Sequence, residues 1–261
     1  MKTKILVMLA AVLVVACGGA PAPESQAPAA NNTPAASTET ETRASAAQQP
    51  AAEQPAAETD RIELAQADTA PVALDSTRFQ NGTHYQRLSP AQPTSSGPDQ
   101  VEVAEFFMYS CIHCYNFEPF VQDWVSSKPS YVNFVRVPTV WNPLVRLHAQ
   151  AFYAAEALGK GEEMHGPFFR EMHVNGNYLD SEDAMADFFE DFGVSDADAR
   201  GALNSFAVHA KVQRADELAR RYRVTSTPSI VVNGKYLTNA TMAGGYPALL
   251  ELINELAASE R

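Results

Sequence analysis

The chain has 261 residues, 46% hydrophobic and 19% charged, with a formal net charge of -12. That charge excludes the basic footprint by which nucleic-acid binders displace counterions, and equally a polybasic membrane patch; no nucleic-acid partner is expected. The average hides a division, because the first third is rich in Ala, Pro, Thr, Gln and Glu and has too few apolar residues to build a core.

Lys2 and Lys4 precede an apolar run from Ile5 to Ala16. That run suits a signal peptide and is shorter than the roughly 20 residues a bilayer span requires. It ends Val14-Val15-Ala16-Cys17-Gly18-Gly19, which resembles a bacterial lipobox. Residues 1–16 are therefore expected to be a lipoprotein signal, with Cys17 acylated as the mature N-terminus. The plainer alternative is an ordinary cleaved signal with a chance cysteine. Residues 17–71 read as a disordered Ala/Pro/Glu-rich tether by composition. As a flexible coil its ends would lie on the order of 40 Å apart. Ile62-Glu63-Leu64 is a short docking segment or nothing at all. The expected location is periplasmic, lipid-anchored to a bacterial membrane.

Residues 72–261 carry globular patterning, enough for one domain. Val101 to Tyr109 is mostly apolar and predicts a buried strand. Glu105 inside it is edge-exposed or buried; its apolar neighbours favour burial. A helix is predicted from Cys111 through Asn116, Phe117, Phe120 and Trp124, then a second strand over Tyr131 to Val137. Helical spacing follows over 147–158, 162–173, 181–192 and 195–222, with Ser181 and Ser195 as N-caps. The apolar Ser229 to Val232, then Asn233-Gly234, then Lys235, Tyr236 and Leu237 form a strong two-residue hairpin signal. Tyr246 to Ala258 closes as an amphipathic helix. The expected architecture is a small α/β sheet interrupted by a helical insertion at about 142–222.

Three cysteines are present, and if Cys17 is taken by processing, Cys111 and Cys114 remain. A disulfide closing so short a loop constrains the unfolded chain little, so the pair is better placed for chemistry than for stability. The motif Cys111-Ile112-His113-Cys114 follows a buried strand and opens a helix. Unpaired N–H groups and the helix dipole there favour a thiolate on Cys111. Cys114 lies one turn on and can close a disulfide with it, and His113 adds an imidazole. Each pKa unit removed from Cys111 is worth about 1.4 kcal/mol toward the reduced form and makes the disulfide more oxidising. A structural zinc needs four ligands, and His165 and His173 are not at a usual ligand spacing, so no metal is expected. Far along the chain, Thr227-Pro228 precedes an apolar strand; this is a strand-initiating trans proline or a cis-proline loop against the disulfide.

Two stretches carry a resemblance: 105–118 (EFFMYSCIHCYNFE) and 227–236 (TPSIVVNGKY) resemble the active-site region and the cis-proline loop of the DsbA family of disulfide donors. The resemblance spans roughly 76–258 and implies a thioredoxin fold with an inserted helical domain. It implies a thiol:disulfide oxidoreductase that needs no cofactor beyond the Cys111–Cys114 disulfide. Cys111 would attack and carry the mixed disulfide, Cys114 would resolve it, and His113 would tune the potential. Glu105 would be the buried carboxylate exchanging a proton with Cys114. Pro228 would be cis, with Thr227 pairing to an extended substrate. Implied partners are reduced, unfolded secreted proteins and a DsbB-like membrane reoxidase, the enzyme itself being a monomer. Two departures stand out: Ile112 where relatives carry proline, and the lipobox with its tether. The rival readings are a reductase or isomerase of the same fold, and a lipid-anchored chaperone holding soft Cu(I) on the two thiolates.

Overall fold

The structure, a computed structural model, describes residues 78–261. The expected signal, Cys17 and the expected tether lie outside the described residues.

The organising element is β2 (Val101–Phe107), all seven residues of which are buried. Side chains alternate across a strand. Val101 and Val103 therefore enter one apolar cluster while Ala104 and Phe106 enter another on the opposite face. Both faces of the strand are covered, and this is why its sequence is nearly continuous in apolar residues. β2 pairs in parallel with β3 (Val132–Pro138), setting Glu105 opposite Arg136, and antiparallel with β4 (Ser229–Val232). β5 (Tyr236–Thr238) extends the sheet beside β4, and the two-residue β1 (Gln86–Arg87) closes its edge, giving the order β1-β5-β4-β2-β3.

The turn between β4 and β5 forms at Asn233 and Gly234, whose φ angles are 48° and 63°. Lys235 N–H donates to the Val232 carbonyl across it at 2.9 Å. The strand register nevertheless pairs Val232 with Tyr236, so Lys235 bulges out of the ladder and gives its carbonyl to Leu88 N–H. Gly234 is required there twice over: its φ is positive, and a Cβ would run into the Gln92 carbonyl.

Helix α1 (Ile112–Ser127) joins β2 to β3 and packs with α8 (Tyr246–Ala258) on one face of the sheet. Phe117, Val121, Trp124, Leu249, Leu252 and Leu256 form the intervening core. Burying side chains of this size contributes about 1.5–3 kcal/mol each. The other face is covered by α6 (Phe206–Arg221) through Ala215 and Ala219, with Tyr222 just beyond its end. Between β3 and β4 lie α2 (Pro143–Ala157), α3 (Gly161–Arg170), a π-helical turn (Glu171–Asn175), α4 (Glu182–Glu190), α5 (Asp196–Leu203) and α6. The four-residue α7 (Ala240–Ala243) precedes α8.

Several predicted boundaries move. The helical spacing over 195–222 is two helices: Ser205 leaves the helix and its hydroxyl accepts from Val208 N–H, capping α6 separately. α2 starts at Pro143, not 147, because Asn142 caps it and proline suits the first helical turn. The strand ends at Phe107, two residues short of Tyr109, where Thr139 N–H takes up the Phe107 carbonyl. The 162–173 stretch ends its regular helix at Arg170 and continues as the π-helical turn, a feature often found beside functional sites.

Candidate active site

Cys111 is the N-cap of α1, extended at φ -91° and ψ 113°, and no side chain caps that helix end. Its carbonyl accepts from the N–H groups of Cys114 and Tyr115. No acidic residue occupies the first turn, so the sulfur at this helix start meets positive dipole without a competing carboxylate. Cys111 is half-buried and its thiol is lowered to about 5. The main cause is a hydrogen bond from the Cys114 thiol. Burial opposes it, and hydrogen bonds from Thr227 and from backbone N–H groups of Cys114 and His113 add to it. At neutral pH the reduced protein therefore holds a thiolate here. Sγ also lies 3.4 Å from the Thr227 carbonyl, a contact that only the protonated thiol can make as a donor.

Cys114 is its opposite. It is buried in the core that continues into the helical block, beside Tyr109 and Phe107. Burial pushes its thiol well above the usual range, and hydrogen bonding to Cys111 together with the charges of Cys111 and Glu105 pushes it further. Glu105 is buried and rises to about 8, chiefly through burial; Arg136 lowers it and Glu118 raises it. A carboxyl of that kind exchanges protons near neutral pH.

The fold thus brings four of the sequence-named residues together: Cys111 and Cys114 from α1, Thr227 from the loop before β4, and Glu105 from beneath. The Thr227–Pro228 peptide is cis. His113 is exposed; its backbone N–H is among those that lower the Cys111 thiol, and its carbonyl accepts from the Tyr246 hydroxyl at 3.0 Å. Ile112 is also exposed beside the dithiol.

Other residues at the site escaped the sequence. Glu118 sits four residues after Cys114, on the same helix face, and accepts from Arg136 Nη2 at 2.8 Å. Arg136 arrives from β3, where a cation in an alternating strand was a readable signal. His165 and His173, weighed above only as metal ligands, both turn toward Tyr109. His165 Nδ1 lies 2.9 Å from its hydroxyl and His173 Nε2 lies 2.7 Å from its carbonyl. His173 also stacks on Tyr115, fastening the π-helical turn to the first turns of α1.

A βαβ-centred sheet with a thiolate at its helix start, a buried second thiol and a protonatable carboxyl below defines a thiol:disulfide oxidoreductase. The comparisons with known proteins agree. The model of the DSBA-like thioredoxin domain matches residues 137–251. The thiol:disulfide interchange protein DsbA of Pseudomonas aeruginosa is 35% identical over 198 residues, covering 76% of this chain and 93% of that protein. Its Pseudomonas syringae counterpart is 37% identical over 183 residues, covering 70% and 85%. The crystal structure of Pseudomonas aeruginosa DsbA superposes with a TM-score of 0.65 at 36% identity, covering 68% of this chain and 92% of that one. The chain belongs to the DsbA-like family, with a thioredoxin fold carrying an inserted helical domain.

Proposed function

We propose that this protein donates disulfides to reduced, unfolded secreted proteins while lipid-anchored at Cys17 on the periplasmic side of a bacterial membrane. In the oxidised protein a client thiolate attacks Cys111 Sγ. The Cys111–Cys114 bond breaks, and Cys114 leaves with the electron pair and takes a proton from Glu105. A second client thiolate then attacks the client sulfur of the mixed disulfide. Cys111 leaves as a thiolate, the client holds a new disulfide, and both electrons stay on the Cys111–Cys114 pair. A DsbB-like membrane reoxidase would remove them, with Glu105 accepting the Cys114 proton. Thr227 and Pro228 would hold the extended client by strand-like pairing. His113 and Ile112 would tune the potential from the exposed side. The tether composition of 17–71 suits a monomer that searches the space near its anchor.

The single observation behind the direction of transfer is the Cys111 sulfur at the start of α1, pulled down to about 5. A stabilised thiolate stabilises the reduced form, so the disulfide is readily given away. The test is the reduction potential of the Cys111–Cys114 pair against glutathione. A value more oxidising than about -200 mV is expected; one near -270 mV would make the protein a reductase. Fatty-acid labelling of wild type and Cys17→Ala tests the anchor, and absence of label in the wild type removes it.

A further inference from the structure

Behind the dithiol, a row of buried polar side chains crosses from the end of β2 through α3 and α1 to β3 and back to β2. The Tyr109 hydroxyl stands 2.9 Å from His165 Nδ1, and His165 Nε2 stands 3.3 Å from Glu118 Oε2. Glu118 Oε1 accepts from Arg136 Nη2 at 2.8 Å. Arg136 Nε then lies 3.7 Å from Glu105 Oε2, beyond hydrogen-bond reach. Among the described residues these two atoms are buried without a hydrogen-bond partner. The row is thus closed everywhere except at its last link, beside Cys114.

The direction of the bonds follows from chemistry. The phenol donates to Nδ1, so the neutral ring carries its proton on Nε2 and donates to Glu118. Burial keeps His165 neutral. Burial opposes the Glu118 charge as well, but the hydrogen bond from His165, the attraction of Arg136 and a 3.1 Å hydrogen bond from Gln122 Nε2 outweigh it and hold that carboxyl below its usual range. Two carboxylates compete for one guanidinium, and the one that His165 keeps charged wins.

The geometry points to His165 as a positioning residue: by holding Glu118 as the anion, it commits Arg136 to Glu118 and leaves Glu105 free to carry a proton next to Cys114. This rests on the proton exchange between Glu105 and Cys114 proposed above. The other charged groups near the row are Glu162 of α3 and Glu156 of α2, which line the same small cavity as His165 and Arg136. Glu162 stands 3.6 Å from Arg136 Nη1 but is 95% exposed, so water screens it and it competes weakly.

The test titrates the Glu105 carboxyl in the reduced full-length protein by carboxyl-region infrared or carbon NMR, with the Glu105→Gln difference assigning the signal. His165→Leu removes the donor, Glu118 takes a proton, and Arg136 turns to Glu105. The Glu105 midpoint should then fall by about one unit, a tenfold weaker hold on the proton. His165→Gln keeps an N–H for Glu118 and should restore most of the wild-type midpoint. Glu118→Gln frees Arg136 directly and should lower the midpoint as His165→Leu does. An unmoved midpoint in folded His165→Leu, or a fall that His165→Gln fails to reverse, overturns the inference. If His165→Leu does not fold, Glu118→Gln decides alone, and an unmoved midpoint there overturns it equally. The pH profile of mixed-disulfide resolution is measured in parallel. A shifted midpoint with an unshifted profile upholds the positioning role while removing Glu105 as the proton carrier.

Discussion

The rim and the floor of the dithiol site begin from the same chemistry and end far apart. At the rim, Cys111 meets helix N–H groups, the Cys114 thiol and Thr227, and ionises at about 5. On the floor, burial pushes both Cys114 and Glu105 upward. Two thiols three residues apart are thereby divided into one that is an anion and one that keeps its proton. The helix start and the covered strand, more than residue type, therefore set the roles: one sulfur leaves easily, while the other needs a proton supplied from beneath.

The largest effects should come from removing one side of the division. Cys111→Ala is expected to reduce oxidation of a reduced, unfolded client to background. Cys114→Ala should instead accumulate covalent client complexes through Cys111, seen by non-reducing electrophoresis and mass spectrometry. Equal behaviour of the two variants would break the distinction between rim and floor.

Glu105→Gln sharpens it next. Turnover should fall about 10²-fold, in the range for loss of a positioned proton donor, measured by client oxidation at pH 7. Stability carries the opposite sign. The Glu105 carboxyl keeps its proton in the fold up to about 8 instead of 4.5. The wild type should therefore lose stability as pH rises from 4.5 to 8, by a few kcal/mol at about 1.4 kcal/mol per unit. In Glu105→Gln that slope should flatten in denaturant titrations across the range.

A second pH effect separates the redox states, made smaller than its shift alone would give because water screens the half-buried Cys111. Only the reduced protein has a Cys111 thiol to titrate, lowered from 9.0 to about 5 in the fold. Its contribution is fully present above the unfolded value and disappears as pH falls through about 5. The stability of reduced over oxidised protein should therefore shrink steadily from pH 9 to pH 5. Thiolate absorbance of the reduced protein should show a midpoint near 5, and a midpoint near 9 would dissolve the contrast.

The smallest is a control on the helical block. Ser205→Ala removes the cap of α6 and should cost about 1 kcal/mol in chemical denaturation while leaving the Cys111 midpoint where it is.

Much of this was legible in local patterns. Apolar VEVAEFF followed by Cys-Ile-His-Cys marked a strand feeding a reactive helix start, and Asn233-Gly234 marked the turn between β4 and β5. Glu105 was readable as buried because its neighbours are apolar on both sides. What escaped were the bulge at Lys235, whose carbonyl pairs with the distant Leu88, and the split between α5 and α6, where helical spacing runs on through the Ser205 cap. The partnership of Glu118, Arg136, His165 and Tyr109 escaped too, since its members come from α1, β3, α3 and the segment after β2.

The dithiol, its place after a buried strand and at a helix start, and the order of elements can be read along the chain, because each depends on residues within one or two turns of one another. The folded arrangement alone settles which thiol stays half-open to water and which is buried, which carboxyl Arg136 neutralises, and that Thr227 meets Cys111. Burial and charge pairing depend on what the rest of the fold brings to within a few ångströms, and sequence distance carries no record of that.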